Sequence, residues 1–279
     1  MAKPKIGVIG TGRMGLAMVK HLLRHGYPAV VTDIDTEQVK KATALGAEAA
    51  KTPAEIGAVS DFAIIAVGYD EEVLAVTTGA NGLFDTMARG AIIGISSTCA
   101  PDTAERLAEL GRSKGIEIYD APICRGRRAA DDGTLLATVG GSDEVVERAR
   151  PVYETFCSDI VHIGPVGHGQ IAKAINNFAL WVNGLALIEA GRLAETFGVD
   201  LPRLRKALLM STGKSGALEG WQTMSFAWAL KDMQIVSRMT DRANLGMPLI
   251  GAVRELVKEG RKIKQTNPPD WTGAGSDLA

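Results

Sequence analysis

Residues 5–33 hold the pattern that narrows the fold most. Lys5-Ile-Gly-Val-Ile-Gly10 is a short apolar run ending in glycine, as a buried parallel strand reads. Gly10, Gly12 and Gly15 have GxGxxG spacing, and the helical run LAMVKHLLRHG follows at once, closed by Gly26. Ala29-Val-Val-Thr-Asp33 reads as a second strand ending in an acid. The first two glycines permit a tight turn and close backbone approach to a pyrophosphate, and the third lets the helix pack on the strand. The helix N-terminus then faces the phosphates with N–H groups that lack intrahelical partners. Asp33 comes 23 positions after Gly10, where a carboxylate takes both ribose hydroxyls of NAD. It repels a 2′-phosphate, and no arginine follows within five residues, so NAD is expected in preference to NADP. Lys40 and Lys41, on the next helix, soften that preference. The plainer reading is a glycine-rich turn with a surface acid. Strand, glycines, helix, strand and acid in that order argue against it.

Strand and helix patterns keep alternating. Apolar strands are expected at 61–67, 91–95, 116–120 and 135–139, with a helix from Pro101 to Lys114 that starts on proline. This is the pattern of a doubly wound α/β sheet of Rossmann type, whose ligands sit at the carboxyl ends of strands. Val67, Thr98 and the loop from Asp120 to Arg128 occupy such ends. Gly164-Pro-Val-Gly-His-Gly169 is a turn-rich hinge, and beyond it every periodic segment reads helical, including Pro202–Met210, Trp228–Ala243 and Pro248–Gly260. Two domains are therefore expected: 1–164, a Rossmann-type dinucleotide domain, and 165–279, an all-helical domain built on one long helix. The tail from Lys264 is polar and broken by proline, glycine and serine.

The stretch from Gly167 to Phe197 has no proline and reads as one long helix of roughly 28 residues, about 42 Å at the usual rise. Lys173, Asn176 and Asn177 fall at i, i+3 and i+4, so an amine and two amides share one face of a mostly apolar helix. Polar groups so placed face water or line a wet pocket. Asn183, Gly184 and Glu189 interrupt the apolar run, so no uninterrupted apolar stretch of about 20 residues crosses a membrane here. Trp181, Leu185 and Ile188 lie on or near one face. They are expected to need a partner subunit as cover, in a homodimer or homotetramer.

Composition closes off other classes. A formal net charge of −1 and a pI near 6.5 argue against nucleic acid or a polybasic membrane contact. Cys99, Cys124 and Cys157 are odd in number and lack CxxC spacing, and the four histidines form no HExxH pair, so no metal site is expected. The N-terminus enters a strand pattern directly, without the regions of a signal peptide, which reads as a cytoplasmic, reducing setting.

Four motifs then resemble the β-hydroxyacid dehydrogenases, the group of 3-hydroxyisobutyrate dehydrogenase and tartronate semialdehyde reductase. Gly10-Thr-Gly-Arg-Met-Gly15 matches that family's GxGxMG. Asp120-Ala-Pro-Ile-Cys-Arg-Gly126 with Gly133-Thr-Leu matches its DxPVSGG…GTL substrate loop. Gly167 to Asn177 matches GxGxxxKxxNN, and Lys231-Asp232-Met matches KDL.

The resemblance implies NAD-dependent interconversion of a small hydroxyacid, or an anion-bearing alcohol, and its semialdehyde. It implies Lys173 as general acid/base and Asn177, with Asn176, as amides that hold the substrate. Lys231 is implied near substrate and nicotinamide, and Thr98 beside the nicotinamide ribose. Gly10, Gly12, Arg13, Met14, Gly15, Asp33 and Val67 complete the implied cofactor set. Cys124, Arg125 and Gly126 are implied to hold the substrate's anionic end.

The departures are also informative. The family's loop reads Ser-Gly-Gly where this chain has Cys124-Arg125-Gly126, followed by Arg127 and Arg128. A guanidinium at 125 offers a planar fork of donors to a carboxylate, sulfonate or phosphate. An arginine here also resembles the sulfolactaldehyde reductases of the same family. Arg127 and Arg128 read equally as a solvated basic surface, and Cys124 as a small wall residue. The strand the family ends in Leu-Pro ends here in Val67-Gly68, and Ile95 replaces its usual acid. The stretch between Ser211 and Lys231 is about ten residues shorter than usual in the family. Two other readings stay open: an imine reductase, which shares the architecture but usually lacks the helix lysine, and a non-catalytic dinucleotide-binding protein. Lys173 weighs against both.

Overall fold

The computed structural model describes residues 3–273. The first half alternates as expected: β1 (Ile6–Ile9), α1 (Arg13–Arg24), β2 (Ala29–Thr32), α2 (Thr36–Ala44), β3 (Glu48–Ala49), α3 (Pro53–Gly57), β4 (Phe62–Ile65), α4 (Asp70–Thr78), β5 (Ile92–Ile95), α5 (Pro101–Lys114) and β6 (Glu117–Asp120). Then come β7 (Ile123–Cys124), α6 (Gly126–Asp132), β8 (Leu135–Gly140), α7 (Asp143–Tyr153) and β9 (Cys157–Gly164). The strand order is β3-β2-β1-β4-β5-β6-β8-β7, with β9 also paired to β8. Pairing is parallel from β3 through β6, antiparallel where β8 meets β6 and β7, and parallel again to β9. The two strands with no sequence signal, β3 and β7, are two residues each, too short for periodicity to register.

Alternation along the strands feeds a core on each face of the sheet. Ile6 and Val8 face a cluster completed by Met18 and Leu22 of α1 and by Val145, Val146 and Tyr153 of α7. Ile9, Ile65, Ile93 and Ile95 face the opposite cluster, with Ile56 of α3, Val73 of α4 and Leu107 of α5. The central strands β1, β2, β4 and β5 are buried on both faces, which is why they read as continuous apolar runs rather than alternating ones.

The chain divides into two compact units between Lys173 and Ala174, inside α8 (His168–Thr196). The second unit continues with α9 (Leu201–Leu209), α10 (Gly216–Glu219), α11 (Ala229–Ala243) and α12 (Pro248–Thr266). By length and composition alone α8 is long and apolar enough to cross a membrane; its most apolar 18-residue window has mean hydropathy 1.3. The breaks at Asn183, Gly184 and Glu189 do not lower that mean enough to exclude it. Trp181, Leu187 and Ile188 of this helix are buried in the chain itself. The Trp181 ring lies 5.3 Å from that of Phe226, and its Nε1 donates to Asp232 Oδ2 at 3.1 Å. This corrects the expectation that Trp181 and Ile188 need another subunit as cover; Leu185 is half-buried.

The expectation that the last helix stops at Gly260 is also corrected. α12 runs on to Thr266, because Gly260 is a packing position. A Cβ there would lie 2.9 Å from Leu185 Cδ2 and 3.1 Å from Phe226 Cε1. Lys264, read from sequence as the start of a polar tail, is 3% exposed on this helix. Its Nζ donates to Trp221 O at 2.7 Å and sits 3.8 Å from the Trp221 ring centroid. Burial lowers its pKa to about 8.

Candidate active site

The glycine loop between β1 and α1 is held from two sides. Gly10 takes a left-handed φ of +90°, and a Cβ on it would strike Ala66 O at 2.6 Å, so only glycine fits this approach to the end of β4. A Cβ on Gly15 would meet Gly10 O. At Gly12 the opposite holds: an added Cβ meets nothing within 4 Å, which leaves the backbone open to a ligand. Gly12 is also the N-cap of α1, and no side chain caps that helix. An uncapped N-terminus beside open space is what a phosphate-binding turn needs.

Asp33, just past β2, turns its carboxylate back onto this loop. Its Oδ2 accepts from Thr11 N at 2.6 Å and Thr11 Oγ1 at 3.3 Å, and its Oδ1 from Asp35 N at 2.9 Å. The acid therefore shapes the glycine loop. Its neighbour Ile34 is 98% exposed. The side chain of Arg13 is committed elsewhere, to Asp131 of α6 at 2.7 Å, leaving the backbone of Arg13 and Met14 in the first turn of α1.

Val67 and Thr98 lie past the ends of β4 and β5. Val67 N donates to Ser97 Oγ at 2.8 Å, which ties the two strand ends together. Thr98 is half-buried.

The loop that follows Asp120 is built on unusual backbone. Arg125 has φ +81° and Gly126 φ +72°, two left-handed residues in succession. Left-handed backbone costs an ordinary residue about 1 kcal/mol, so the conformation explains why the related pattern carries glycine at 125. Here Arg125 Nη1 donates to Asp159 Oδ2 at 2.6 Å, to Ser158 Oγ at 2.9 Å and to Thr134 O at 3.1 Å. The hydrogen bond from Arg125 holds the Asp159 carboxyl below its ordinary pKa. Cys124 is buried in register with Leu136, as a wall residue would be. Arg127 and Arg128 are exposed, and Arg128 lies 3.7 Å from Asp132.

Two residues that sequence reading passed over organise the start of α8. Asp120, at the end of β6, is fully buried. Its Oδ1 accepts from Gly167 N at 2.6 Å and its Oδ2 from Gln170 N at 2.7 Å. It thus caps a helix from another element, satisfying the N–H just before that helix and one donor of its first turn. Desolvation raises its pKa to about 6, against the opposing pull of those N–H groups. The approach is close: a Cβ on Gly169 would lie 2.6 Å from Asp120 Oδ2 and 2.5 Å from Thr138 O. Gln170, 0% exposed, spends its amide on the backbone around Thr98. Its Nε2 donates to Ser97 O at 2.8 Å, and its Oε1 accepts from Cys99 N at 3.1 Å. An acid heading a DxP loop and a glutamine in a helix's first turn are visible in sequence; that they meet across about 50 residues is not.

Lys173 follows Gln170 by three residues, half-buried, on the same helix. Further along α8, in the second unit, Asn177 is 5% exposed, and its Oδ1 accepts from Asn176 Nδ2 at 3.0 Å. Asn176 itself is exposed. Lys231, in the first turn of α11, has a side chain 17% exposed. Its Nζ stands 3.9 Å from Asp232 Oδ1 and 5.5 Å from the Trp228 ring centroid. Because Asp232 also takes the Trp181 indole N–H, α11 is indexed to α8 one turn beyond Asn177.

Known proteins resemble this chain over most of its length. The profile described as the NAD binding domain of 6-phosphogluconate dehydrogenase matches residues 5–164. The one described as NAD-binding of NADP-dependent 3-hydroxyisobutyrate dehydrogenase matches 167–270. The chain is 34% identical over 213 residues to the mitochondrial 3-hydroxyisobutyrate dehydrogenase of Mus musculus, covering 76% of this chain and 64% of that protein. The chain thus spans just under two thirds of that relative's length. It is 30% identical over 270 residues to the 2-(hydroxymethyl)glutarate dehydrogenase of Eubacterium barkeri, covering 93% and 90% of the two chains. The solved structure of Mycobacterium tuberculosis 3-hydroxyisobutyrate dehydrogenase with L-serine superposes at a TM-score of 0.85, with 25% identity and 96% of each chain covered.

Proposed function

The chain belongs to the β-hydroxyacid dehydrogenase family, and we propose that it interconverts a small hydroxyacid, or another anion-bearing alcohol, and its semialdehyde or carbonyl form with NAD. The observation that carries this reading is Lys173. A half-buried lysine stands one turn past a helix start whose Gln170 side chain reaches the segment around Thr98, in a chain with an open, uncapped glycine loop.

The glycine loop fits the cofactor. The first turn of α1 offers the N–H groups of Arg13, Met14 and Gly15 to a pyrophosphate, and the absent Cβ of Gly12 lets the backbone approach. Asp33 accepts the ribose hydroxyls with the lone pairs left by Thr11 and Asp35, and its charge disfavours a 2′-phosphate. Exposed Ile34 beside it offers an apolar face for adenine. Bound NAD supplies the acceptor for the hydrogen and electron pair that leave the carbinol carbon. Lys173 Nζ takes the hydroxyl proton as that carbon is oxidised, and returns it to the carbonyl oxygen in the reverse direction. Asn177, supported by Asn176, orients the substrate oxygen, and Lys231 adds positive charge near the substrate. Cys124, Arg125 and Gly126 hold the anionic end through backbone and guanidinium. For Arg125 to do so, its fork must keep donors free of Asp159; Nη1 is committed, which leaves Nε and Nη2 for the substrate.

Functional boundaries at 1–164 and 165–279 follow from this division of labour, and the two profile matches, 5–164 and 167–270, support them. We also place the protein in the cytoplasm as a homodimer or homotetramer. Three buried free thiols support a reducing compartment. Ile175 and Leu193 on α8, at 60% and 62% exposure, with exposed Phe197 just beyond it, support association.

The test is Lys173→Ala. Turnover should fall on the order of 10²–10⁴-fold, while NADH binding, followed by nicotinamide fluorescence, stays within about threefold of wild type. Near-normal turnover would remove the assignment. A panel of small 3-hydroxyacids and hydroxysulfonates with NAD identifies the substrate class. Intact NADH binding with no turnover on any of them would favour a binding protein.

A further inference from the structure

We propose that Gln170 is a positioning residue that sets the reach of Lys173 against the nicotinamide side of the cofactor; this rests on the reading of Lys173 given above. The Gln170 carboxamide bonds the carbonyl before Thr98 and the N–H after it, so it brackets that residue's backbone. Ser97 is tied in turn to Val67 N, so the bracket also indexes the end of β4. At its own backbone, Gln170 is held by Asp120, and Gly169 O accepts from Thr138 Oγ1 at 3.1 Å. These contacts block the two motions an apolar helix makes most easily, sliding along its axis and turning about it. Lys173 is three residues on, less than one turn, so any slip at Gln170 moves the amine by nearly the same amount.

The chemistry of the side chain matters as much as its place. A buried carbonyl and a buried N–H on either side of one residue call for one donor and one acceptor, and a primary amide supplies both. An apolar residue of equal size would fill the space but would remove both of these buried hydrogen bonds. The Gln170 amide bonds backbone at Ser97 and Cys99. It acts through the distance it holds.

The experiment is a double-mutant cycle between Gln170→Ala and Lys173→Ala, with Gln170→Met as the volume-conserving companion. If Gln170 acts by placing Lys173, Gln170→Ala and Gln170→Met lower kcat about 10–100-fold, and the NADH dissociation constant changes no more than about threefold. The primary isotope effect with substrate deuterated at the carbinol carbon should rise, because the chemical step becomes slower than release. In the Lys173→Ala background the same substitutions should change the residual rate less than about twofold. The proposal is overturned if Gln170→Met keeps wild-type kcat, or if Gln170 variants lower the rate by one common factor in both backgrounds. If Gln170→Ala does not fold, Gln170→Met decides alone. A Lys173→Ala enzyme that retains turnover overturns the functional reading instead, and is recognised before the cycle is closed.

Discussion

The carboxylate of Asp120 accepts the backbone N–H of Gln170 at 2.7 Å although 50 positions separate them in the chain. The end of β6 is thereby fastened to the first turn of the helix that carries Lys173. Around this bond the sheet acquires a fixed relation to the proposed proton-transfer group.

Asp120 should leave a signature in stability against pH. Its folded pKa is raised from 3.8 to about 6 by burial. The group's contribution is therefore fully present below the unfolded value, and is lost as pH rises through about 6. Asn at 120 does not titrate. The stability of wild type relative to Asp120→Asn should fall between about pH 4 and 6, by on the order of 3 kcal/mol in all, and run level above that. Urea midpoints at several pH values measure it; parallel curves for the two proteins would refute the raised pKa.

Arg125→Gly separates strain from recognition. Glycine relieves the left-handed φ of +81°, while the loss of the half-exposed pair with Asp159 removes little. Thermal stability should stay within about 1 kcal/mol of wild type. KM for the best anionic substrate should rise about tenfold or more with a smaller change in kcat. An unchanged KM would assign the anion to the loop backbone alone.

Cofactor preference should turn on Asp33. Asp33→Ser removes the charge that opposes a 2′-phosphate and shortens the acceptor to the ribose. The ratio of kcat/KM for NAD to that for NADP should drop by about tenfold or more. The Thr11 hydrogen bonds are lost with it, so some of the loss falls on both cofactors. A ratio that does not move would place the selectivity elsewhere.

Lys264 should respond to pH in its own way. Burial lowers its folded pKa to about 8, so the charged form is penalised in the native state. That penalty is fully present below about pH 8 and disappears as pH rises toward the unfolded value near 10.5. Lys264→Met, which cannot titrate, should therefore gain on wild type at pH 7 compared with pH 10. The comparison is made by denaturant midpoints, and an equal difference at both pH values would count against a buried ammonium.

The elements of the first unit were legible because their cause is local. β1, β2, β4 and β5 are buried on both faces, so each is a run of apolar residues bounded by turns. α5 begins on Pro101 and ends on left-handed Gly115, both readable as helix boundaries. The limits of α8 were readable to within a residue for the same reason. Gly260 is not legible in that way. As a helix residue it looks like a stop, yet it accommodates Leu185 and Phe226, and only their presence makes glycine a packing residue there.

By itself the sequence determined the order of strands and helices, the glycine loop with its acid, and a lysine and two amides on one helix face. Each follows from backbone preference and periodicity within some tens of residues. The tertiary structure alone decided that Asp120 caps α8, that Gln170 brackets Thr98, that Asp159 engages Arg125 and that Lys264 is buried. Each of those is a contact between distant segments, set by which polar groups are left to satisfy once the apolar ones are packed, and no local pattern encodes that pairing.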